Sequence, residues 1–124
     1  MSEYELNDAI QAIGSNMIAG EALFLTVLSA YAVIAYTAGR RLNSYQITFV
    51  NFVFIGFVFT NLGALHAMTT QVYEYGDQLI SLRGEKPVQQ KVGEAVRWTM
   101  FATRSLMSLG ALVFMWQVRH SRAE

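Results

Sequence analysis

The chain has 124 residues, 53% of them hydrophobic and only 15% charged, where a soluble domain carries about 25% charged residues. Nine basic residues balance nine acidic ones, so no net field draws nucleic acid to the molecule. The absence of cysteine excludes disulfides, thiolate metal sites, cysteine-ligated clusters and cysteine lipidation.

The first predicted element begins close to the N-terminus. Ser2 and Glu5 fit the S-x-x-E capping box. Leu6, Ile10, Ile13 and Met17 then recur at helical spacing on one face. A helix is therefore expected from about Glu3 into a first apolar span, 17–38, with Gly14 and Gly20 as points where it could bend. Glu3, Glu5 and Asp8 precede this span, where a signal peptide would carry a basic stretch, so the span is read as retained. Gly39-Arg40-Arg41-Leu42-Asn43-Ser44 is a short polar turn. Gly39 suits a helix stop, and Asn43 or Ser44 suits a new N-cap.

The second span covers 45–68. Its run Phe49-Val50-Asn51-Phe52-Val53-Phe54-Ile55 resembles a strand taken alone, but the uninterrupted apolar length argues for helix. The third span covers 98–118. At 1.5 Å rise per residue each span reaches the roughly 30 Å of a hydrocarbon core. Between spans two and three lies 69–97, the longest polar stretch. Val72, Tyr75, Leu79 and Leu82 follow one helical spacing, and Val88, Val92, Ala95 and Thr99 another. Arg83-Gly84-Glu85-Lys86-Pro87 forms a turn cluster between them. Spans two and three are thus expected to run on past the lipid and close as an extramembrane helical hairpin. The N-terminal stretch 3–16 should lie on the same side and pack on that hairpin. An interfacial helix lying on the lipid is the alternative.

The fold class that follows is all-α: one integral membrane domain, 1–124, of three long transmembrane helices running up, down and up, with a helical extension outside. Lys and Arg divide evenly between the two sides. Arg40, Arg41, Arg119 and Arg122 are the denser group, and the opposite side carries an acidic N-terminus. This places the N-terminus outside and the C-terminus in the cytoplasm. Trp98 and Trp116 lie about 27 Å apart at helical rise, matching two interfacial belts.

Two charges fall inside the spans, Glu21 and Arg104. At about 6 Å and 9 Å from the outer ends of their spans they share a depth. Opposite signs at one depth point to an intramembrane pair, with a transport site and a register-fixing structural pair as its two readings. Asn61 and His66 lie at the same outer level. Five residues apart, they do not share a helix face, so convergence of all four is open. Asn51, nearer the other end, is expected to bond between helices. Ala102, Ser105, Ser108 and Ala111, and Gly56 with Gly63, are small residues suited to close helix packing.

No catalytic residue, metal ligand or cofactor site is expected. No lysine in a span could hold retinal. His66 and His120 fall near opposite faces, so one chain cannot hold haem between them; only a haem shared by two copies of His66 escapes that exclusion. P-loop, HExxH, GxSxG and zinc spacings are missing. The expected partners are the lipid bilayer, further copies in a homo-oligomer, and a membrane protein. Two roles remain: a homo-oligomeric channel- or transport-type assembly, or a non-enzymatic accessory, assembly or sensor subunit docking through its extension. Inward-facing in-span charge would favour the first, and charges paired within one protomer the second.

From Ser29 to Asn51 the chain reads SAYAVIAYTAGRRLNSYQITFVN. In its S-A-Y run, its Gly-basic turn and the Gln and Asn that follow, it resembles the uncharacterised small three-span proteins of bacterial inner membranes. The resemblance implies a bacterial cytoplasmic membrane and a helical-hairpin order, and carries over no catalytic residue, cofactor or substrate.

Overall fold

Ser2 starts the first helix as the capping pattern requires. Its hydroxyl accepts the Glu5 N–H at 3.2 Å, while the Glu5 carboxylate accepts the Ser2 N–H at 3.1 Å. Two of the N–H groups that a helix start leaves bare are thereby satisfied. From there α1 runs through Glu3–Ala38. Asn43 repeats the device with Gln46 at the start of α2, Ser44–Arg83. Gly84 ends α2 in the left-handed region, φ 73°, with its N–H on the carbonyls of Ile80 and Ser81. The third helix, α3, is Gln90–His120. This computed structural model describes residues 2–84 and 90–121, the side chains of 90–93 excepted.

No strand occurs among the described residues. The β-branched and aromatic run of α2 is helical: the modest propensity cost of Val, Ile and Phe is outweighed over so long an apolar segment. All three helices are long and apolar enough to cross a membrane. At 1.5 Å per residue α1 and α2 are about 54 and 60 Å long, nearly twice a hydrocarbon core. The excess gathers at one end, where the start of α1, the end of α2 and the start of α3 meet; the Gly39–Asn43 turn marks the other.

The surface is apolar, while the interior holds a few polar side chains. Ile18, Val33, Phe52, Phe59, Leu106 and Val113 all face outward, while Arg104, Ser108 and Thr69 are buried. Water would penalise that arrangement and hydrocarbon would not. The buried apolar core is Tyr31, Ala35, Phe54 and Met115, in the half nearer the turn. Tyr31 stacks on Phe54 with ring centroids 4.1 Å apart.

The extension is a three-helix end. Leu6 is fully buried, and Arg83 reaches across to Glu3 with two N–H donors at 2.9 and 2.7 Å. Arg97 lies over the Tyr73 ring at 5.4 Å. Three residues of the expected packing runs depart from the pattern: Leu82, Ala95 and Thr99 are exposed. Leu82 is the penultimate residue of α2, where Leu6 is the buried apolar side chain opposite among the described residues. Glu85 to Pro87 of the expected turn, and Val88, lie outside the described residues, as does the side chain of Val92.

Within the protomer Gly56 and Gly63 meet no other helix: both are exposed, with open space where a Cβ would stand. The small-residue row of α3 needs correction. Of the row Ala102, Ser105, Ser108 and Ala111, Ser108 alone is buried and Ala102 is exposed. A three-residue step falls short of a full turn, so such a row winds around the helix instead of holding one face.

Candidate functional site

Arg104 organises the polar layer in the half of the bundle nearer the extension. Helix α3 brings it to the centre, where it is 3% exposed. One terminal nitrogen, Nη1, donates to the Asn61 side-chain oxygen of α2 at 2.5 Å. The other, Nη2, donates to Glu21 Oε2 of α1 and forms an ion pair with it. The Asn61 amide then donates to the Gly20 carbonyl at 3.5 Å, closing the layer against α1. Phe24 lies beneath, its ring 5.5 Å from the guanidinium carbon. All three helices therefore contribute to a single cluster.

The two charges differ in exposure. The Arg104 side chain is 4% exposed and that of Glu21 is 44% exposed. Among the described residues Oε2 of Glu21 has its donor in Arg104 and Oε1 has none. Buried Nε of Arg104 also lacks an acceptor. Beside the pair, a groove of about 510 Å³ runs between α1 and α3. Gly14, Met17, Ile18, Met100 and Thr103 line it together with Glu21 and Arg104. Its walls are mostly apolar, and the charged pair lies along its side.

Of the other residues picked from the sequence, His66 stands outside the cluster. It is exposed, its ring tilted toward Phe101 at 6.3 Å, on the α2–α3 side. Five residues from Asn61, its side chain points to another face of α2. Asn51 bonds between helices: the Tyr31 hydroxyl donates to its Oδ1 at 2.6 Å. Among the described residues no three His, Asp or Glu side chains gather as a metal site.

Three roles are not apparent from the sequence pattern. Tyr31 as the partner of Asn51 could have been found by the depth comparison that paired Glu21 with Arg104, since α1 and α2 are antiparallel and the turn fixes their register. Phe24 under the guanidinium has no sequence signal beyond its one-turn spacing from Glu21. Arg119 donates from Nη1 to the carbonyls of Gly39 and Leu42 at 2.9 and 2.8 Å. Arg40 donates to the Val118 carbonyl at 3.1 Å. Two of the arginines counted as topology signals thus tie the α1–α2 turn to the end of α3. Compared with family models, curated proteins and solved structures, the chain matches none.

Proposed function

We propose that this chain is a small multi-pass protein of the bacterial cytoplasmic membrane. It acts as a non-enzymatic, self-associating assembly subunit that docks a membrane partner through its helical extension. The observation that carries this reading is the closure of the Arg104 cluster within one protomer. A cation held by Glu21 and Asn61 of its own chain is already neutralised, and a paired charge fixes helix register more readily than it lines a conduit. The extension supports a docking role: it projects beyond a hydrocarbon thickness and is closed by the Glu3–Arg83 pair, with Tyr4 exposed. Glu3 and the N-terminus lie outside in this reading, and the Arg40–Arg41 turn lies in the cytoplasm.

The second reading is a homo-oligomeric channel- or transport-type assembly. It is favoured by the half-exposed Glu21 carboxylate beside the groove. Ion flux in proteoliposomes separates the two. An assembly subunit gives no flux above that of protein-free vesicles. Flux that Glu21→Gln abolishes, while the oligomer persists, would replace the first reading with the second.

A further inference from the structure

A carboxylate oxygen in an apolar span needs a donor, because hydrocarbon supplies none. Glu21 Oε1 has no donor among the described residues, and it borders the α1–α3 groove. The Arg104 charge already balances the Glu21 charge. A neutral donor, such as a hydroxyl, therefore suits the groove better than a cation.

The chain itself presents such a hydroxyl. The outward face of α2 carries Gly56, Thr60, Gly63 and Ala67 at helical spacing, all exposed. Gly56 and Gly63 have open space around them, and so does Gly14 in the groove. Asn61 contacts both Gly20 and Arg104, so Thr60 lies at the level of Glu21. About two turns further along the antiparallel helices, Ala67 lies at the level of Gly14. Rotation about an axis along the membrane normal preserves depth, so copies related by it keep these levels matched.

We propose that a second copy of this chain occupies the groove. The α2 stripe of one protomer seats between α1 and α3 of the next, and the Thr60 hydroxyl donates to Glu21 Oε1. To do so the hydroxyl gives up its present bond to the Gly56 carbonyl. Small residues on both sides let the backbones approach closely. The interface is head-to-tail, with different surfaces on the two partners, and it closes as a ring. This inference rests on the self-associating membrane reading.

The cysteine-free sequence makes the test direct. Thr60→Cys and Thr103→Cys introduce near-isosteric thiols on the stripe and in the groove. Oxidation of membranes carrying the double variant should give a ladder at multiples of the 13.9 kDa chain, while either single variant stays at one chain mass. Native mass of the unlinked protein is read in parallel. Gly63→Leu should reduce the oligomer to monomer, whereas Gly110→Leu, in equally open space on α3, should leave it intact. An oligomer with no ladder overturns this seat and leaves self-association standing. A dimer from Thr60→Cys alone places α2 against α2 and also overturns it. A monomeric native protein overturns both the seat and self-association, whether lipid or another protein then fills the groove.

Discussion

Arg104 is a permanent charge that is almost wholly buried, and its neighbours determine what removing any one of them costs. Breaking a buried pair by deleting one partner costs about 3–5 kcal/mol, because the other charge is left uncompensated. The two halves of this pair should respond unequally. Glu21→Gln leaves a buried guanidinium with only neutral amide acceptors and no countercharge. Arg104→Gln leaves a half-exposed carboxylate that can turn outward along the groove. Glu21→Gln should therefore destabilise toward the upper end of that range and Arg104→Gln by less. The double variant should regain part of the loss. Thermal unfolding in detergent, analysed as a double-mutant cycle, measures the coupling, and strictly additive losses would remove it. Tyr31→Phe tests the second polar contact, leaving Asn51 Oδ1 without its hydroxyl donor at an expected cost of about 1–2 kcal/mol. Much of this site was legible because depth is legible. A residue count from each span end places Glu21, Asn61 and Arg104 on one level. Direction around the helix axis was not legible for His66, since which face of α2 turns inward depends on the packing of all three helices.

The ends of the helices were legible almost to the residue, because capping chemistry is local. Ser2 with Glu5 needs only a few consecutive residues to declare itself, whereas the sequence leaves the α2 cap open between Asn43 and Ser44, and the structure shows Gln46 as the partner of Asn43. The packing duty of Gly39 was not legible, because it depends on α3. Gly39 stops α1 in an ordinary right-handed conformation, φ −53°. Its glycine is required by space: a Cβ there would stand 2.4 Å from the Ala35 carbonyl oxygen and 3.1 Å from Val118 Cγ1. Gly39→Ala should destabilise by about 1–3 kcal/mol, as overpacking does. Gly76→Ala should do the opposite. The site lies mid-helix with nothing within 4 Å of the added methyl, so the substitution should stabilise α2 by roughly 0.5–1 kcal/mol. Melting temperatures of the two variants should shift in opposite directions, and equal shifts would remove the steric account of the turn.

At the scale of the whole molecule, two features bear on how it would sit in a bilayer. The excess helix length lies at one end, together with Glu3, Glu5, Asp8, Glu74, Asp77 and Glu94. The turn end carries Arg40, Arg41 and Arg119 with no acidic residue among those described. Arg40 and Arg119 hold backbone carbonyls there, so part of their placement serves the fold. Arg41 is exposed and makes no such contact. Arg83 and Arg97 stand at the extension end too, so the expectation rests on the density of basic residues in the short Arg40–Arg41 turn, which the positive-inside tendency keeps in the cytoplasm. The expected topology has Ser2 and Gly84 outside and Ser121 in the cytoplasm. Single cysteines at these three exposed positions report it, since the chain has none of its own. An impermeant thiol reagent applied to intact cells should label Ser2→Cys and Gly84→Cys and spare Ser121→Cys until the membrane is opened. The two outer positions must behave alike, because α1 and α2 are antiparallel and their far ends are joined by the Glu3–Arg83 pair. Labelling of Ser121→Cys alone would invert the orientation and keep the three-span order. Opposite behaviour of Ser2→Cys and Gly84→Cys would break the three-span order itself.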